Sequence, residues 1–175
     1  MNVIFVEPAF PTNQREFPRA LKKVGARVIG IGERPADWLD GELRGWLDEY
    51  HQVSSVTDEA VLYQSVRSIQ ARLWVDRIEA TIEAHIMPVA RIREACDIPG
   101  TSVRTAWLCR DKPAMKEALR EAGVPCARSV GTSDPDEARD FAHAVGYPII
   151  VKPRDAAGAA ATWRVDDDGE LEGAI

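Results

Sequence analysis

Lys152 closes a short run of β-branched residues, and nearly everything after it is small. The stretch from Tyr147 to Thr162 reads YPIIVKPRDAAGAAAT. Ile149, Ile150 and Val151 predict a strand bounded by prolines and covered on both faces. Thr162, Trp163 and Val165 predict a returning strand. A loop of small residues between two strands can lay backbone N–H groups against phosphates, since a larger side chain would hold the ligand away. A lysine at the strand end adds the positive charge that amides lack. The plainer alternative is a lysine whose stem lies along apolar neighbours with its ammonium in water, beside an ordinary loop.

The elements that would position this lysine fill the second part of the chain. Asp111 predicts an N-cap, with Met115, Ala118, Leu119 and Ala122 on one helical face and Gly123 closing the helix. Val124-Pro125 turns the chain into a strand at residues 127–130. Ser133 and Asp136 open a further helix, whose buried face is Ala138, Phe141, Ala142 and Val145 and whose end is Gly146. Residues 166–169 read as a turn, and residues 170–175 as the start of a helix.

The first part reads as alternating strands and helices. Residues 3–6 predict a buried strand. Asn13 with Glu16 predicts a capped helix bearing Phe17, Ala20, Leu21 and Val24 on one face, closed by Gly25. Residues 26–31 give the next strand, hence a βαβ unit and a parallel sheet. The loop after the first strand, EPAFPTNQ, has no glycine, against the G-x-G-x-x-G of a dinucleotide fold. Short helices are expected over residues 35–50 and a third strand over 52–56. Leu62, Val66, Ile69 and Leu73 form a helical stripe with Thr57 as cap. A fourth strand over 75–80 precedes a helix starting near residues 81–83, which keeps Pro88 close to its first turn. Residues 97–100, Asp-Ile-Pro-Gly, end that helix. Glu83 and His85 read as a helix cap and a solvent-facing residue.

The fold class is therefore α/β: a Rossmann-like parallel-sheet domain over residues 1–103, then an incomplete α+β subdomain over 104–175. Composition narrows the function. Twenty-two Lys and Arg against 28 Asp and Glu give a net charge of −6, which with no basic run excludes nucleic acid or an anionic membrane as the main partner. Cys96, Cys109 and Cys126 are too far apart for a CxxC pair, and His51, His85 and His143 are scattered, so no metal site is expected. Free thiols, and an N-terminal apolar run too short for a signal peptide, predict a cytoplasmic protein. Five tryptophans leave a homo-oligomeric interface open.

The run RDKPAMKEALREAGVPCARS, a helix, then GYPIIVKPRDAAGAAAT resembles the opening of an ATP-grasp domain. The α/β unit before it, ending in CDIPGTS, is similar to a pre-ATP-grasp domain. The likeness is to biotin-carboxylase-like and carboxylate–amine ligases. It implies ATP and Mg²⁺ as cofactors, with Mg²⁺ ligands beyond this chain, and a small carboxylate activated as an acyl-phosphate before reaction with an amine. It implies that Lys112 and Lys152 hold phosphates and that Arg154, Asp155, Gly158, Ala159 and Thr162 belong to a loop over the β- and γ-phosphates. Relatives favour glycine and serine where this chain has Ala156, Ala160 and Ala161. The alanines and the missing second half leave two other readings: a nucleotide-binding or regulatory module without turnover, and an unrelated doubly wound domain.

Overall fold

Strand β1 (Asn2–Val6) is buried along four of its five residues because it has a strand on each side. It pairs in parallel with β2 (Arg27–Gly32) and with β4 (Arg77–Glu79), so that Ile4 lies between Ile29 and Ile78. Strand β3 (Glu49–Gln52) adds to the far side of β2, giving the order β3-β2-β1-β4, all parallel. Parallel neighbours need crossovers, and helices α1 (Glu16–Lys23), α2 (Gly41–Trp46) and α3 (Glu59–Gln70) supply them, while α4 (Glu83–Ala95) follows β4.

Alternation along the strands sorts the core into two faces. Ile4, Val6, Ile29, Ile31 and Ile78 pack with Leu62, Val66 and Ile69 of α3 and with Val89 and Ile92 of α4. A smaller cluster joins Val3 and Val28 to Leu21 of α1. Each fully buried Leu, Ile or Val contributes roughly 1.5–3 kcal/mol relative to exposure, so the first cluster dominates the stability of this part.

The computed structural model describes residues 1–154 and 161–175. The chain divides into two compact units, Met1–Ala106 and Trp107–Ile175. In the second unit α6 (Lys112–Glu121), α7 (Pro135–Val145) and α8 (Asp168–Ala174) accompany a two-stranded antiparallel sheet of β5 (Ile149–Val151) and β6 (Trp163–Val165). Helix α5 (Val103–Arg110) comes before α6 in the chain. Ala142, Val165 and Leu171 form the second unit's small core, with Tyr147, Ile149 and Val151 against them. Among the described residues no helix is long and apolar enough to cross a membrane.

Several expectations are corrected. Asn13 lies in a 3-10 turn, Thr12–Arg15, and caps nothing; α1 begins at Glu16 and buries Pro18, while Phe17 and Val24 are exposed. The third strand is Glu49–Gln52, because Asp48 and Glu49 find backbone and arginine partners on β2 and residues 53–56 turn toward α3. Asp58, not Thr57, caps α3 through the amides of Ala60 and Val61. Pro88 falls in the second turn of α4. Residues 127–130 form no strand, having no strand partner. The expected inner faces of α6 and α7 are half-buried or exposed apart from Ala142. Ile150 is 58% exposed, so β5 is covered on one face only.

Candidate functional site

Lys152 follows β5 directly, and its ammonium has no hydrogen-bond or ion-pair partner among the described residues. It lines a cavity of about 980 Å³ in the second unit, together with Lys112, Lys116, Arg128, Arg154 and Trp163. Five cationic side chains and one aspartate, Asp134, are among its described lining residues, which makes the cleft electropositive. Lys116 donates to the Ala127 carbonyl at 3.2 Å and Arg128 to the Ala144 carbonyl at 3.2 Å, so the cleft rim is tied to α6 and α7.

Lys112 is the first residue of α6, placed there by the Asp111 cap. The Asp111 carboxylate accepts from the Ala114 amide at 2.8 Å. Pro113 suits that first turn, where its missing N–H costs no helical bond. Lys112 Nζ donates to the Arg154 carbonyl at 3.1 Å. Arg154 in turn donates through Nε to Asp111 Oδ2 at 2.6 Å. This guanidinium, with the Ala114 amide, holds the Asp111 carboxyl below the usual aspartate range.

The fold thus brings Lys112, Lys152 and Arg154 to one cavity. Thr162 precedes β6 and is exposed, and it is not among the cavity-lining residues. Asp155, Gly158 and Ala159 lie outside the described residues. Asp111, Lys116 and Arg128 were not singled out as site residues by the sequence. An aspartate directly before the first lysine and an arginine two residues after the second were the available signal.

A second group of polar residues lies at the carboxyl ends of the strands in the first unit. Glu7, just after β1, is 6% exposed and adopts φ 57°. Its Oε2 accepts from the Glu33 amide at 3.0 Å, and burial pushes its carboxyl above the usual range. Tyr50 donates to the Arg34 carbonyl at 2.7 Å, and its hydroxyl is pushed up to about 12, chiefly by burial. A Cβ at Gly32 would stand 2.7 Å from the Tyr50 hydroxyl, so that side chain would have to shift to admit one. His85 was expected to face solvent; it is buried in the first turn of α4, and its Nδ1 has no hydrogen-bond partner among the described residues. Burial lowers its basicity.

Comparison with known proteins bears on the cleft. Residues 111–175 match the family described as "Carbamoyl-phosphate synthase L chain, ATP binding domain". The L-arginine-specific L-amino acid ligase of Bacillus subtilis is 31% identical over 118 residues, 67% of this chain and 29% of that protein. The arginine-specific carbamoyl phosphate synthase large chain of Neurospora crassa is 40% identical over 72 residues, 41% of this chain and 6% of that one. The crystal structure of N5-carboxyaminoimidazole synthetase from Staphylococcus aureus superposes with a TM-score of 0.74 at 19% identity, covering 99% of this chain and 42% of the other.

Residues 111–175 belong to this ATP-grasp family of ATP-binding domains.

The chain spans 6% and 29% of the two sequence relatives and 42% of the solved chain. The ATP-grasp match begins at Asp111, the residue that caps α6 and holds Arg154. Among the described residues no group of three or more His, Cys, Asp or Glu could hold a metal ion.

Proposed function

We propose that this chain is the ATP-binding N-terminal portion of an ATP-grasp ligase, one that activates a small carboxylate as an acyl-phosphate and joins it to an amine or similar nucleophile. Residues 1–103 would be the pre-ATP-grasp domain and 104–175 the first part of the ATP-grasp domain. The observation that supports the reading is that Lys112 and Lys152, from different elements, line one cavity. Phosphoryl oxygens need positive charge held in place before they arrive, and prepaid order of this kind is a large part of phosphoryl-transfer catalysis.

The roles divide by position. Lys152, without a partner among the described residues, would take phosphate oxygens directly. Lys112 would share them from the N-terminus of α6, where the helix dipole favours an anion. Trp163 and Pro148, also at the cavity, offer apolar surface for the base. None of the described residues is assigned as a general base. The three cysteines, all free thiols, suit the cytoplasm.

Isothermal titration with Mg-ATP tests the reading. Lys152→Ala is expected to weaken binding by at least about tenfold, the scale of one lost charge-assisted contact, while leaving the thermal midpoint unchanged. Unaltered affinity would refute it. A second reading, a nucleotide-binding module without turnover, is favoured by Ala156, Ala160 and Ala161 in the sequence where relatives favour glycine and serine. Release of ADP on addition of carboxylate and amine substrates would exclude that alternative.

A further inference from the structure

We infer that Arg154 is a positioning residue which, through Asp111, sets the separation of Lys112 and Lys152, and that it is not itself a phosphate ligand. The inference rests on the nucleotide reading of the cleft.

Arg154 is the joint between the two lysines. Its carbonyl accepts from Lys112 Nζ at 3.1 Å and from the Lys112 amide at 3.4 Å. Its guanidinium meets Asp111 through Nε at 2.6 Å and more loosely through a terminal nitrogen at 3.4 Å. Consecutive residues at the start of α6 therefore grip the same residue, one by its side chain and one by its main chain. Lys152 sits two positions earlier, with Pro153 between, whose ring fixes φ near −65°. Little freedom remains between the grip and the Lys152 backbone.

Geometry and charge point the same way. Two ammonium groups can bind one triphosphate together only if their spacing is held before the ligand arrives; otherwise binding must supply the ordering. The Asp111 carboxylate is 15% exposed and already engaged by the α6 amide of Ala114, so it is a fixed anchor for Arg154. A guanidinium paired to that anchor is neutralised locally and withheld from phosphate. The grip spends one positive charge to order two others.

Asparagine caps a helix about as well as aspartate, so Asp111→Asn removes the charge and keeps α6. The test is calorimetric titration of the full chain with Mg-ATP for Asp111→Asn, Arg154→Ala, the double variant and Arg154→Lys, with Lys152→Ala alongside. A positioning role predicts that each single variant weakens binding about tenfold and that the double is no weaker than either, as for residues in one network. Arg154→Lys should recover to within about threefold, since it keeps the charge but not the fork. Melting temperatures should stay at the wild-type value throughout, which a purely structural role would not allow.

Other outcomes overturn the inference. Asp111→Asn binding as well as or better than wild type while Arg154→Ala binds worse would make Arg154 a direct phosphate contact. Losses that multiply in the double variant would make the two residues independent. If Lys152→Ala abolishes binding and the Asp111 and Arg154 variants leave it intact, the nucleotide reading stands and the positioning role falls. If the wild-type chain binds no nucleotide, both fall.

Discussion

The two units spend their residues differently. In the first, β1 is flanked on both sides and its side chains vanish into cores on both sheet faces; Ile4, Val28, Ile29, Ile31, Leu62, Val66, Ile69 and Ile78 are all 0% exposed. In the second, a two-stranded sheet rests on Ala142, Val165 and Leu171, while Ile150 and Trp163 stay 58% and 47% exposed. A two-stranded ribbon is marginal by itself, and Lys152 and Arg154 of the cleft follow its first strand. The large core is concentrated in one unit and the cationic cleft in the other.

That contrast can be broken most directly by removing core volume. Leu62→Ala should cost roughly 3 kcal/mol, the cost of a Leu-to-Ala cavity in a closed core, read as a lower urea midpoint for the first unit. Leu171→Ala should cost about 2 kcal/mol because its smaller core can collapse further. Its loss should appear in amide exchange of the second unit with the first unit's protection unchanged. Equal loss of protection in both units would show a single cooperative block and end the comparison.

A smaller effect separates the units by pH. Glu7 has a carboxyl raised above 4.5 by burial. The folded state then holds that proton more tightly, so stability falls as pH rises from about 4.5 through the raised value. His85 is shifted the other way, below 6.5, so stability is lost as pH falls from about 6.5 through the lowered value. Glu7→Gln should flatten the first slope and add on the order of 1 kcal/mol at neutral pH; His85→Gln should flatten the second. Midpoints measured across the range check both, and an unchanged profile in either variant would show that its group is not the source.

The least effect is expected at the surface of the second unit. Tyr147 donates to Asp168 at 2.5 Å, and His143 Nε2 lies 3.0 Å from the same carboxylate. Asp168 pushes the Tyr147 hydroxyl up to about 12. Water competes for every partner in this exposed group, so Tyr147→Phe should raise the remaining carboxylate's basicity, visible by NMR titration, without moving the melting temperature.

The sequence was legible wherever burial was complete. Apolar, β-branched runs marked β1 and β2, and the stripe Leu62, Val66, Ile69 marked α3, because full burial leaves a strong apolar signal. It was least legible at edges. The third strand was placed over 52–56 because Val53 and Val56 look like strand residues, yet Glu49–Gln52 pairs with β2, its charges held by Arg27 and Arg72. Strand β5 looked doubly covered because an apolar run does not say how many faces are packed. In the cleft, Lys112 and Lys152 could be picked out by context, but the partnership of Asp111 and Arg154 joins residues 43 apart. No local pattern carries a contact of that separation. His85 was misread because a histidine in a first helical turn has no sequence mark of burial.

Glu7 has a consequence for how this chain would respond to selection. It carries two penalties at once: a left-handed backbone that glycine would adopt freely, and a carboxyl removed from water. A library screened for folding alone would drift away from glutamate at this position, toward glycine for the backbone or glutamine for the side chain. A library screened for the chain's activity need not follow. Divergence of the two screens at residue 7 would measure how much stability the molecule gives up to keep an acid at the mouth of its parallel sheet.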